Sequence, residues 1–311
     1  MKKASLFIFL LFPCLVYAQD EPVDLKLGRF SFFIDTALMA DGSMNNAGFG
    51  FDYNDVWGGE IRGQFTQTSE TEYSSTPDTL TTFKETVVEM YLLPAQYKPA
   101  INQNLQWRFG AGLYYEYQKS DQKGSVEIPA LSSYSLETHN SFTDDFSAHI
   151  AGPLLDIGLK YNSEWFDISF SGGFVPAYFL TTTEKQRMSS LYAAEHSQKK
   201  WGSPYFYLGL DSVVLKYINL AVKYNYARFK YDVIDFYTEG DASAIKFIPA
   251  FPESSVVSQS LLFEISAVLP LGSADFQIGY GHMLNVFTPD SGNIVQENKP
   301  YLILSGKKTS F

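Results

Sequence analysis

The chain is poor in cysteine, in histidine and in basic residues. Its 311 residues include one cysteine, Cys14, and four histidines, and 34 Asp and Glu residues outnumber 23 Lys and Arg residues. A single cysteine excludes a disulfide-stapled scaffold, and a net charge of −11 argues against nucleic acid as a partner. HExxH, CxxC, P-loop and dinucleotide-binding GxGxxG motifs are also absent. We therefore predict neither a cofactor nor a metal site.

Long hydrophobic runs are confined to the start of the chain. Two lysines precede the run LFIFLLFPCLV, and the small residue Ala18 follows it after Tyr17. This pattern predicts a signal peptide over residues 1–18, so the protein is expected to be exported. A proline precedes Cys14, which disfavours a lipoprotein signal. The remaining chain, 19–311, contains nothing near eighteen consecutive apolar residues, and this excludes a transmembrane helix.

The stretch LQWRFGAGLYYEYQ, residues 105–118, has a period of two. Its large apolar side chains alternate with a second set that includes Arg108 and Glu116. Such alternation predicts a strand with one apolar and one polar face. The strand is long for a soluble protein and matches the roughly ten tilted residues that cross a membrane.

The same period recurs along the chain and predicts twelve strands. They lie near residues 26–38, 46–54, 59–69, 84–97, 104–118, 146–161, 165–182, 201–216, 218–236, 259–270, 274–287 and 300–311. Two segments change apolar parity, one at Pro94 and one near Ala227 and Arg228. We interpret these changes as bulges or as strand ends that project above a bilayer.

The connections between these segments alternate in length. Short turns (DVWG, KPAINQ, NSE, YI and LGS) alternate with long polar loops, and MADGSMNN is a shorter member of the long set. This alternation is typical of an up-and-down antiparallel barrel with both termini on the periplasmic side. A secreted β-sandwich or soluble barrel with its apolar face inward is the alternative.

Aromatic placement favours the membrane. Trp57, Trp107 and Trp165 lie beside short turns, where an interfacial girdle is expected, and the chain ends on Phe311. The chain thus resembles bacterial outer-membrane β-barrels: an all-β transmembrane barrel of about twelve strands over residues 19–311. The resemblance implies the outer membrane of a Gram-negative-type bacterium, its lipid and its barrel-assembly machinery as partners, and no specific family.

If the bulky face contacts lipid, the ionic side chains point into the barrel. These positions are Arg29, Arg62, Arg108, Lys160, Lys223, Asp35, Asp52, Glu60, Glu116, Asp156, Asp167, Asp211, Glu264 and Asp275. An acidic lumen predicts a narrow channel for small or cationic solutes, with inward-facing glycines leaving room. The alternative is that the ions pair and close the lumen. The lumen and constriction candidates are Arg62, Arg108, Glu116, Asp167, Asp211 and Lys223.

Two other classes of function stay open. Ser147 and His149 share the lipid-facing side, which resembles outer-membrane phospholipase, although both also suit the headgroup level as ordinary interfacial residues. His139, Ser141, Asp144 and Asp145 lie in one polar loop and bring together residue types used by omptin proteases. Alternatively, polar loops over a closed lumen would suit a surface-interaction protein. We expect no enzymatic activity.

Overall fold

The structure is a computed structural model in which every described element is a β-strand. It describes residues 30–54, 56–75, 78–126, 140–188, 192–202, 204–239, 246–271, 274–289 and 294–310. The predicted signal peptide, Arg29 and Phe311 lie outside these ranges. Among the described residues, no helix has the length and apolar character to cross a membrane.

Sixteen strands follow one another along the described chain. They are β1 (Phe30–Met39), β2 (Gly42–Asp52), β3 (Trp57–Ser75), β4 (Asp78–Tyr97), β5 (Leu105–Val126), β6 (Asn140–Asn162), β7 (Phe166–Val175), β8 (Tyr178–Met188), β9 (Tyr192–Gly202), β10 (Tyr205–Val214), β11 (Ile218–Asp232), β12 (Asp235–Glu239), β13 (Lys246–Ala250), β14 (Glu253–Leu271), β15 (Ala274–Pro289) and β16 (Val295–Ser310).

The sheet closes on itself as a twelve-stranded antiparallel barrel. β1 pairs with β16 from Phe30↔Ser310 to Met39↔Tyr301, and β5 pairs with β6 along its whole length. β7 and β8 both pair with β6, at successive levels, so they form one interrupted wall strand; β9 and β10 form another. β12 and β13 make a separate two-stranded sheet. The twelve wall strands correspond one to one with the twelve predicted segments.

Four of the five short turns are confirmed, whereas the long loops were predicted too long. The short connections after Asp52, Tyr97, Asn162 and Val214 lie at one end of the barrel, called here the short-turn end, and the fifth predicted turn, LGS, extends outside the described residues. At the other end β5 continues to Val126 and β3 to Ser75, and only Ala40 and Asp41 separate β1 from β2. Polar residues at this end still form strands, because the two strands of each hairpin hydrogen-bond to each other through their backbone N–H and C=O groups.

One interruption reverses the predicted facing of part of a strand. Between β7 and β8 the ladder breaks at Pro176 and Ala177. Beyond the break Tyr178 and Leu180, predicted to face outward, are 0% and 1% exposed, while Phe179 is 39% exposed. The prediction was wrong because proline lacks an N–H for the ladder and shifts the alternation by one residue.

The two parity changes have different causes. At Pro94 the β4–β5 register shifts between Leu92 and Ala95, which confirms a bulge. Around Ala227 the β11–β14 register is continuous, so Arg228 faces outward on a strand end that extends beyond the apolar band.

An exposed apolar band surrounds the barrel. Large hydrophobic side chains on every wall strand face outward, among them Phe170, Ile278 and Leu302. Trp57 and Trp165 border the band at the short-turn end, and Phe179 and Trp201 border it at the other end. Along β6 the band extends about 11 residues, which is roughly 25–28 Å for a tilted strand and matches a bilayer core. Strand residues beyond Phe179 and Trp201 project out of the membrane.

Candidate functional site: the barrel lumen

Two predicted arginines meet in one ion-pair network inside the barrel. Arg62 Nε lies 3.2 Å from Glu60 Oε1, and Arg108 Nε lies 2.9 Å from Asp156 Oδ2. Arg62 Nη2 donates to the hydroxyl of Tyr207 at 2.8 Å, and this hydroxyl donates to Asp156 Oδ1 at 2.6 Å. The side chain of Asp156 is fully buried. The two positive charges of the arginines are thus balanced by the two negative charges of Glu60 and Asp156 inside the barrel.

The bond between Arg62 and Tyr207 crosses the lumen. Arg62 belongs to β3 and Tyr207 to β10, which are five places apart in the ring of twelve strands and therefore lie on nearly opposite walls. The guanidinium carbon of Arg62 also lies 5.1 Å from the centre of the Tyr91 ring, within cation–π range. Arg62 was predicted as a constriction residue, and in the structure it bridges the lumen.

On one side of this bridge, the lumen is filled by tyrosines and apolar side chains. The rings of Tyr114 and Tyr205 stack with centroids 4.8 Å apart, and the hydroxyls of Tyr91 and Tyr205 are 3.0 Å apart. Glu116, a predicted lumen residue, accepts a hydrogen bond from Tyr114 here and is nearly buried. The packed cluster comprises Leu93, Tyr114, Ala148, Ile150, Leu154, Val175, Tyr178, Leu180, Tyr205, Tyr207 and Ala227.

Sequence reasoning missed this filling, although a signal was present. Tyr91, Tyr114, Tyr205 and Tyr207 stand on the inward parity of their strands, where water-filled pores carry polar side chains. Several inward glycines accommodate rings rather than water. A Cβ on Gly173 would lie 2.0 Å from the Tyr207 ring.

The remaining lumen holds a cavity of about 600 Å³ that is lined by both polar and apolar side chains. Four of the six predicted site residues line it, namely Arg62, Asp167, Asp211 and Lys223, whereas Arg108 and Glu116 do not. The ionic side chains of the lining are Asp35, Glu89, Asp167, Asp211, Glu264, Arg62, Lys160, Lys223 and Lys307. Its positive and negative charges are therefore more evenly matched than those of the inward face predicted from sequence.

Some of these ions are already satisfied. Lys223 Nζ lies 3.0 Å from Glu264 Oε2, and Tyr301 donates to the other oxygen of Glu264 at 2.9 Å. Asp35 accepts a hydrogen bond from Ser305. Within the described part of the chain, four other lining ions make neither a hydrogen bond nor an ion pair: Asp167, Asp211, Lys160 and Lys307.

Ser147 and His149, one of the two groups considered for hydrolysis, have separate hydrogen-bond partners. Ser147 Oγ donates to the carbonyl oxygen of Thr183 at 3.5 Å, while His149 Nδ1 lies 2.9 Å from the hydroxyl of Tyr115. His139 lies outside the described residues. Asp144 accepts a hydrogen bond from Gln186 at 3.3 Å. Among the residues that the structure describes, no group of three or more His, Cys, Asp or Glu side chains could hold a metal ion.

Closure of the sheet, the apolar band and the polar interior together define an outer-membrane β-barrel. No protein-family model matches the chain, and no curated protein matches it.

Similar solved structures are barrels with very different sequences. The translocator domain of the autotransporter NalP from Neisseria meningitidis has 11% identity and a TM-score of 0.43, covering 98% of this chain and 96% of that chain. The toluene transporter TodX of Pseudomonas putida has 11% identity and a TM-score of 0.40, covering 94% and 92%. The outer membrane protease OmpT of Escherichia coli has 10% identity and a TM-score of 0.31, covering 91% and 94%. These likenesses concern the barrel fold alone.

Proposed function

We propose that the protein is a narrow outer-membrane channel for small polar solutes, with its short-turn end in the periplasm. The observation that supports this most directly is the 600 Å³ cavity inside the barrel, which ionic and hydroxyl side chains line together with apolar ones such as Phe33 and Ile303. A barrel with only a structural role would be expected to fill this space with side chains, as many small barrels do.

The dimensions of the lumen favour small solutes. The Arg62–Tyr207 bridge and the tyrosine cluster narrow the lumen on one side, and a second buried apolar cluster of Ala37, Met44, Leu262, Tyr301 and Ile303 narrows it beside β1, β2, β14 and β16. A constriction that is bridged by one side chain passes small molecules and slows large ones. We propose transport rather than catalysis because Ser147 and His149 have separate hydrogen-bond partners.

The test is single-channel conductance of the refolded protein in planar bilayers. Wild type should give small, discrete current steps. Arg62→Ala removes the bridge and should raise the step size about twofold or more, because the narrowest section controls conductance. Lys185→Ala is the control, since Lys185 is paired with Glu195 on the hairpin outside the membrane. If neither wild type nor Arg62→Ala conducts, the lumen is closed and a surface-interaction role replaces the channel.

A further inference from the structure

Two lysines that make no ion pair within the described part of the chain face each other across the cavity. Lys160 lies on β6 and Lys307 on β16, six places apart in the ring of twelve strands, so they come from opposite walls. Their charges repel each other across the lumen. Both lie near the short-turn end of their strands. Two like charges that face each other across a cavity, neither in a direct ion pair, form a favourable position for an anionic group between them.

A carboxylate pair lies next to these lysines. Asp211 on β10 and Asp35 on β1 are five places apart in the ring, and each feels the charges of Lys223, Glu264 and Lys307. Lys223 is bound to Glu264, so it does not neutralise Asp211 by direct contact. Asp211 therefore offers a free carboxylate to a cation in the cavity.

The four lining ions without a hydrogen bond or ion pair in the described part of the chain are two lysines and two aspartates, so together they have no net charge. Lys160 and Lys307 balance Asp167 and Asp211, so a ligand with a net charge would leave part of the lining uncompensated. A ligand that carries both charges would satisfy both sets, and burying paired charges costs less than burying single ones.

We propose that the cavity binds small zwitterions of the amino-acid type, with the ligand carboxylate between Lys160 and Lys307 and the ligand ammonium at Asp211. This assignment rests on the proposed channel function, because it names the class of solute that the channel takes up. A 600 Å³ space accommodates such a molecule together with several waters.

The experiment is titration calorimetry of the folded barrel in detergent with three probes of equal length. These are 6-aminohexanoate, hexanoate and hexylammonium, at one low ionic strength. We expect 6-aminohexanoate to bind about tenfold more tightly than either singly charged probe, because it makes both charge-assisted contacts. Equal binding of the three probes would overturn the proposal.

Matched variants assign each end of the ligand. Lys160→Gln with Lys307→Gln should weaken binding of 6-aminohexanoate about tenfold and leave hexylammonium unchanged, and Asp211→Asn should weaken 6-aminohexanoate and leave hexanoate unchanged. Lys185→Gln is the control for an exposed lysine. Heat-modifiable migration on gels verifies folding. Binding that none of the cavity variants alters would also overturn the proposal.

Current recordings on the same preparations separate the two proposals. Selective binding of 6-aminohexanoate without conductance supports the site and contradicts the channel. Conductance without selective binding supports the channel and contradicts the site.

Discussion

The carboxylate of Asp156 contacts three partners, and its removal should be costly. Arg108 and Tyr207 bind its two oxygens, and Arg62 approaches one of them at 3.7 Å. Asp156→Ala should lower the free energy of unfolding by about 3–5 kcal/mol, since two guanidiniums lose a buried counterion. Lys185→Ala, which breaks an exposed pair with Glu195, should cost about 0–1 kcal/mol. Urea unfolding followed by tryptophan fluorescence measures both. Equal losses would show that the network adds no stability.

A second carboxylate at the residue scale makes stability depend on pH. Glu184 lies on β8 beyond the apolar band, where burial raises its pKa to about 7 although Ile234 N–H and Gln186 donate to it. The folded state therefore holds the proton at pH values where the unfolded state, with the usual pKa of 4.5, has lost it. The contribution of Glu184 to stability is therefore fully present below pH 4.5 and decreases by about 2–3 kcal/mol as the pH rises to 7.

The raised pKa of Asp144, which is also buried nearby, makes stability fall with rising pH in the same direction. Glu184→Gln removes only the contribution of Glu184 and so separates the two. Unfolding free energies of wild type and variant between pH 4.5 and 8 should diverge, with the smaller decrease in Glu184→Gln. Parallel curves would mean that Glu184 does not titrate in this range.

At the scale of elements, the hairpin β8–β9 is held on one side by side chains. β9 pairs with β8, and in the described part of the chain it forms no ladder with β11. Instead Lys200 Nζ lies 2.5 Å from Asp232 Oδ1 and 3.1 Å from Glu253 Oε2. Lys200→Ala should speed amide hydrogen exchange in β9 by up to about tenfold and leave exchange in β10 unchanged. Without the lysine, β9 can open locally while the rest of the barrel stays folded. Exchange as slow as in Lys185→Ala would contradict this account.

At the scale of the whole molecule, closure depends on the β1–β16 ladder. Leu38 and Leu302 are opposite partners and both face outward. Opposed Cα atoms in antiparallel strands are about 4.5–5.5 Å apart, which a disulfide spans. Leu38→Cys with Leu302→Cys should therefore crosslink on mild oxidation, whereas Leu38→Cys with Ile303→Cys should not, because Ile303 faces inward. Crosslinking in the second pair alone would show a register shifted by one residue.

Strand number and facing were predictable because both depend on local periodicity. Alternation every second residue marks a strand wherever one face contacts a different medium, so the positions of all twelve wall strands and the inward direction of Arg62 and Arg108 could be read directly. The breaks were harder to predict. Pro176 reverses the facing of Tyr178. The effect of such a proline depends on whether the alternation of inward and outward residues continues unchanged after the break or shifts by one residue.

The sequence alone thus determined an acidic chain with a single cysteine and twelve alternating strands, since these properties depend on composition and local spacing. Only the tertiary structure decided that Arg62 binds Tyr207 across the lumen, that tyrosines fill one side, and that Lys160 and Lys307 face each other. Those contacts join strands on opposite walls. Which inward side chains meet is set by barrel closure and strand stagger, and these are properties of the whole sheet.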